Sequence, residues 1–268
     1  MRALKVLLIS AGVVLAFASS APAETNSRPD GTDHPYVGMF VGDFSSTHPG
    51  LEAGCPGTLI SAAVFLTAAH CIDGRPERQA VPLFVTFDSE WSYPGSPSDL
   101  HAVATYDWNP LFDAPGFGTR HDNAVLTLEG PVSGIAPAGL AAPGVLEELR
   151  ATGALFDSVG YGMQGFDRGD GPPQPVGNPP VSGLWQRRAA TSRFAALTPD
   201  TLHLLTEDAI DLGGNCYADS GGPHLLGGTD VVAATSSWID TMCEALSANP
   251  RVDSADARAF LGGFVSLP

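Results

Sequence analysis

The chain has 268 residues, with 13 Lys and Arg against 29 Asp and Glu, a formal net charge of −16. So acidic a surface disfavours nucleic acid and anionic membranes as partners, and it reads as a means of solubility outside the cell rather than as an acid-specific function. With 31 Gly and 23 Pro, the composition argues against a helical bundle and for an all-β domain rich in turns.

The chain opens on a processing signal. Arg2 and Lys5 precede an apolar run over 6–17, and small residues lead to Ala21-Pro22-Ala23, the pattern of a signal peptide over 1–23. About 12 apolar residues are too few to cross a bilayer, which takes roughly 20. Cleavage removes both leader cations, and 13 − 2 leaves 11 basic residues, all arginine, against 29 acidic ones, or −18. The expected product is a secreted monomer over 24–268 with no membrane attachment. Its length suffices for two packed barrels.

Strand signals follow at 36–41, 58–60, 81–87, 124–128 and 231–238, short β-branched or aromatic runs bounded mostly by turn residues. The Pro/Ala/Gly-rich stretch 131–143 reads as a connector between halves, and 165–183 as a long surface loop. At the end, Ser254 and Asp256 open a helix expected over about 254–266, with Leu261 and Phe264 three apart and Gly262-Gly263 weakening its close. Four cysteines, Cys55, Cys71, Cys216 and Cys243, allow three pairings. Export favours disulfides over zinc, since no C-x-x-C pair is present. The most local pairing is Cys55–Cys71 with Cys216–Cys243.

Three segments carry candidate chemistry. Thr67-Ala-Ala-His70-Cys71 ends an apolar run on a histidine, His121-Asp122-Asn123 opens a strand on an aspartate, and Asn215-Cys-Tyr-Ala-Asp-Ser220-Gly-Gly-Pro223 holds a serine before two glycines. A serine hydroxyl needs a base, which an imidazole supplies near neutral pH. The imidazole in turn needs a carboxylate to fix its tautomer and stabilise its cation.

These segments resemble the chymotrypsin/trypsin family of serine proteases. Its C-G-G-T-L-I-S stretch stands here as Cys55-Pro-Gly-Thr-Leu-Ile-Ser61 and its T-A-A-H-C as 67–71. D-I-A-L-L stands as Asp122-Asn-Ala-Val-Leu126, and G-W-G as Gly160-Tyr161-Gly162. G-D-S-G-G-P stands as 218–223, and S-W-G followed by cysteine as Ser237-Trp238-Ile239 with Cys243. The spacing, 52 residues from His70 to Asp122 and 98 onward to Ser220, suits that family. The resemblance implies two packed six-stranded antiparallel β-barrels, an N-terminal one over about 35–135 and a C-terminal one over about 150–252, with a short C-terminal helix. It implies a secreted serine endopeptidase acting on polypeptides; no cofactor is expected, and no acidic loop has the ligand pattern of the calcium that stabilises some relatives. His70 would be the base, Asp122 its orienter and Ser220 the nucleophile, with the N–H groups of Ala218 and Ser220 as oxyanion hole. His121 lies outside the pattern and is expected on the surface. His34, His48, His101, His203 and His224 have no motif around them and read as structural or solvated.

Three features depart from the family. Ala218 replaces a glycine, and a positive φ there would strain its Cβ. Asp219 is the implied acceptor for a freed N-terminal amine, yet Glu24, the first residue after the leader, replaces the usual Ile or Val. In the specificity pocket, implied at Gly214, Asn215, Ser237, Trp238 and Ile239, no carboxylate awaits Arg or Lys, and Ile239 narrows an entrance where the family has glycine. The expected preference is for small or medium apolar residues. A catalytically weak homologue acting as an extracellular binding protein is the alternative reading.

Overall fold

The computed structural model describes residues 24–45, 50–92, 95–112, 120–150, 152–167, 169, 171–177 and 183–268. The leader over 1–23, His48 and parts of the 165–183 loop lie outside the described residues.

Six strands close the first barrel: β1 (Val37–Gly42), β2 (Glu52–Ser61), β3 (Val64–Thr67), β4 (Leu83–Thr86), β5 (His101–Trp108) and β6 (Ala124–Leu128), joined in the order β1-β2-β3-β6-β5-β4 with β4 returning to β1. All six pairings are antiparallel. Phe40, Phe65, Leu66 and Leu126 fill its interior with no exposed surface. Closure removes the unpaired edges that an open sheet of such apolar strands would present.

Another six strands form the second barrel: β7 (Leu155–Gly160), β8 (Arg188–Leu197), β9 (Thr201–Leu205), β10 (Pro223–Leu226), β11 (Val231–Thr235) and β12 (Leu246–Pro250), in the order β12-β9-β8-β7-β10-β11. An isolated bridge between Ala234 and Arg251 brings β11 back to the end of β12. Three two-residue strands extend this sheet to nine: Arg28–Pro29 on β8, Gly139–Leu140 parallel to β11, and Trp238–Ile239 on β12. One buried cluster runs through both halves, from Phe65 and Leu126 to Val159, Tyr161, Leu225 and Val232.

The structure revises several expected boundaries. The 231–238 strand ends at Thr235, because Ser236 and Ser237 leave the ladder to bond elsewhere, and pairing resumes at Trp238. The 81–87 strand is shortened to β4; Pro82, which has no N–H to donate, precedes its first residue. The 131–143 connector contributes the strand Gly139–Leu140, and the 165–183 loop contains a two-residue ladder of Phe166–Asp167 with Gln174–Pro175. The terminal helix spans only Ala255–Leu261. Ser254 caps it by accepting the Ala257 N–H at 3.3 Å, and Gly262 stops it before 266. Strand β8 was not legible. Its sequence, RAATSRFAAL, has weak β-propensity, and pairing on both sides, with β7 and β9, overrides that.

Candidate active site

Register sets the first half of the site. In the antiparallel β3–β6 pair Thr67 faces Ala124, so the exit of β3 and the entrance of β6 share one rim of the barrel. His70, three residues past Thr67 in the turn Ala69–Cys71, therefore meets Asp122, two residues before Ala124. The meeting is two-pronged: the His70 backbone N–H donates to Asp122 Oδ1 at 2.8 Å, and His70 Nδ1 lies 2.6 Å from Oδ2. Asp122 is 1% exposed, so its carboxylate is held by protein donors rather than by water. Bonded at Nδ1, the imidazole leaves Nε2 as the nitrogen that can take or give a proton.

The second barrel supplies the other half by the same device. Pro223, at the start of β10, pairs with Thr235, at the end of β11. That places the Ser220 loop beside Ser236 and Ser237. Gly221 N–H donates to the Ser236 carbonyl at 2.8 Å, and Ser236 N–H to that of Gly222 at 2.7 Å. Ser237 Oγ then donates to Asp122 Oδ2 at 2.5 Å. Next to it, Asn123 Nδ2 donates to Thr235 Oγ1 at 2.8 Å in a wholly buried bond between the barrels. Gly221, at φ +90, lets the serine loop lie on the histidine segment: a Cβ there would stand 2.2 Å from Thr67 Oγ1 and 2.8 Å from the Ala68 nitrogen. Ser220 is thus delivered to the strand exit that carries His70.

Ala218 has φ +74, so the strain foreseen from its Cβ is present, at about 1–2 kcal/mol. The backbone nevertheless keeps the left-handed conformation. Among the described residues, neither the Ala218 nor the Ser220 N–H donates to another protein group. Both are available to a charged oxygen.

Behind the serine, Asp219 is fully buried and accepts the N–H groups of Gly162 at 2.6 Å and Cys216 at 2.8 Å. Burial pushes its carboxyl up to about 7, with those N–H groups pulling the other way. Glu24 is fully buried too, and among the described residues neither of its carboxylate oxygens makes a hydrogen bond of ordinary geometry. A Cβ built on Gly160 would touch Asp219 Oδ1 and come within 3.3 Å of Glu24 Oε1, so the two acids flank the same glycine. Burial, then the neighbouring Asp219, raises the Glu24 carboxyl well above the usual range. The chain entering this spot is pinned by Thr25, which exchanges backbone hydrogen bonds with Gly214 at 3.0 and 3.3 Å.

In the pocket region, Gly214 backs onto Thr206, whose Cγ2 would be 2.6 Å from an added Cβ, so an acidic side chain has no room there. Asn215 is buried, and among the described residues its Oδ1 has no hydrogen-bond partner. Trp238 is exposed beside the half-buried Ile239. The disulfides are Cys55–Cys71 and Cys216–Cys243, one bracing the histidine turn and the other the serine loop.

Sequence reading did not foresee the surroundings of the other ionisable groups. Arg187 is buried and donates five hydrogen bonds, to Asp30, Tyr161 Oη and the carbonyls of Gly31, Val37 and Phe87. Asp30 also pairs with His34 at 2.5 Å. His224 is buried between Ser158 and Ser236, and burial pushes its imidazole down to about 4. His101 pairs with Asp99, and His203 is half-buried. His121, expected on the surface, is largely covered, with a side chain 13% exposed.

Two six-stranded barrels meet at a seam that carries an aspartate-bound histidine and a glycine-flanked serine loop, a double-barrel architecture. The sequence model of the family described as Trypsin matches residues 28–253, and the chain belongs to that family. Among solved structures, a mutant of human heparin binding protein is similar at 16% identity with a TM-score of 0.63, covering 89% of this chain and 95% of its own. No curated protein is similar enough in sequence to match.

Proposed function

We propose that this chain is a secreted serine endopeptidase in which Ser220 attacks the scissile carbonyl. His70 takes the hydroxyl proton at Nε2 and returns it to the leaving amine, and a water repeats the sequence on the acyl-enzyme. Asp122 holds the imidazole tautomer, itself held by Ser237. The oxyanion forms against the Ala218 and Ser220 N–H groups, an electrostatic contribution of roughly 3–4 kcal/mol per donor. The single observation that carries this reading is the doubly bonded His70–Asp122 pair beside a serine loop with two uncommitted N–H groups.

The absence of room for an acid at Gly214 argues against Arg or Lys at the cleaved position, and Ile239 favours small or medium apolar side chains there. Export is supported by the leader pattern over 1–23 and by the two disulfides. Leader cleavage after Ala23 frees the Glu24 amine at the spot where Asp219 is buried without a cation. N-terminal mass spectrometry of exported material checks this, and a start elsewhere removes the idea.

A binding role on a protease scaffold is the second reading. The structural neighbour is named for heparin, a polyanion, whereas this chain carries −16, which opposes that ligand. A fluorophosphonate probe separates the readings. Labelling lost in both Ser220→Ala and His70→Ala supports the peptidase, whereas labelling unchanged in Ser220→Ala rejects the nucleophile.

A further inference from the structure

The turn that presents Asp122 also holds His121, in the left-handed region at φ +58. Its imidazole lies near Asp200, ahead of β9, and Asp256, in the first turn of the terminal helix. One ligand atom from each of the three lies within 4.8 Å of the other two. His121 Nδ1 is 3.9 Å from Asp256 Oδ2. Among the described residues no other trio of His, Cys, Asp or Glu converges in this way, and none of the cysteines is free to offer a thiolate.

The donors sit on three segments far apart in sequence, each fixed by the fold. His121 and Asp200 are mostly covered, at 13% and 17% exposure, while Asp256 is half open at 49%. Two carboxylates beside an imidazole repel one another unless a cation intervenes. Arg120 meets part of that need through Nε, 2.9 Å from Asp200 Oδ2, but its own side chain is 68% exposed, and such surface pairs are weak. Ligand atoms around a four-coordinate zinc ion stand about 3.3 Å apart, given bonds of roughly 2.0–2.1 Å. A small rotamer change at the half-exposed Asp256 closes its 3.9 Å separation from His121 Nδ1 to that spacing.

We propose that His121, Asp200 and Asp256 form a binding site for a divalent transition-metal ion of the zinc class, with water completing the coordination. One imidazole with two carboxylates suits that class. Calcium takes six to eight oxygens, which this trio does not offer. A bound ion cross-links the Asp122 turn, the Asp200 turn and the terminal helix, and it binds whether or not Ser220 is a nucleophile.

The test is calorimetric titration of the purified protein with Zn²⁺, with visible absorption of the Co²⁺ form as a second readout. The expected result is saturation at one equivalent and cobalt bands of four-coordinate intensity. His121→Asn, which tolerates the left-handed backbone, and Asp256→Asn, at a half-exposed helix position, each weaken binding by about tenfold or more. Arg120→Ala frees Asp200 and tightens it several-fold. His101→Ala, at the His101–Asp99 pair, leaves it unchanged. Thermal unfolding supplies a control for folding: metal raises the midpoint of the unsubstituted protein by several degrees and that of Asp256→Asn by distinctly less at the same metal concentration. Zinc binding that survives both ligand substitutions, no saturable binding, or calcium bound in preference to zinc overturns the proposal.

Discussion

Ala218→Gly isolates one residue's backbone geometry from its chemistry. Ala218 sits at φ +74, where a Cβ costs about 1–2 kcal/mol that glycine does not incur. Glycine also loosens the unfolded chain, which takes back about 0.4–1 kcal/mol. The net expectation is a gain of about 0.5–1 kcal/mol. In a domain of this size that raises the thermal midpoint by roughly 1–4 °C. Denaturant unfolding of both proteins at one pH measures it. The peptide conformation is already the one glycine would adopt, so kcat/KM on a peptide substrate should change by less than about threefold. Ala218→Val, branched at the same φ, should lose stability by more than the glycine variant gains. A glycine variant that is less stable shows that the alanine is not strained. A gain of about a hundredfold in kcat/KM, the worth of an oxyanion donor, shows instead that the alanine N–H does not face the reacting oxygen.

Ser237→Ala removes one donor from a buried carboxylate. A hydrogen bond to a charged group contributes about 1.5–3 kcal/mol, so kcat should fall by about tenfold or more at nearly constant KM. Unchanged kcat means that Ser237 does not position Asp122. Stability of the full-length chain should show two opposing pH slopes. Asp219, near 7 when folded and about 4 unfolded, binds more protons folded across that window, so its contribution falls by about 4 kcal/mol as pH rises through it. Glu24, also raised, acts in the same direction. His224, near 4 when folded and about 6.5 unfolded, does the reverse and loses about 3 kcal/mol as pH falls. Calorimetry across pH 4–7 should therefore show Asp219→Asn and His224→Gln shifting the pH slope of stability in opposite directions from that of the unsubstituted chain, and curves parallel to it sink the assignment. Arg187→Lys cannot reproduce five hydrogen bonds from a planar fork. It should cost about 3 kcal/mol or more in urea unfolding, and a loss under 1 kcal/mol means that the network is dispensable.

What could be read without coordinates were features decided within a few residues: the Ser254 cap, the 124–128 strand, and the short motifs around His70, Asp122 and Ser220. The spacing of those motifs matched a known family, and the implied two-barrel fold followed from that match rather than from residue-level physics. Strands such as β8 stayed hidden because their pairing comes from neighbours on both sides rather than from their own propensity. Convergence over long separations was equally hidden. The Asn123–Thr235 bond, the Arg187 network, the burial of Glu24 against Asp219 and the His121–Asp200–Asp256 trio each join residues from distant segments. Register and barrel closure decide those meetings, and a one-residue slip in any ladder would turn the side chains to the opposite face. Local chemistry was legible in the chain; which local chemistries share a space was settled only when the two barrels closed and packed.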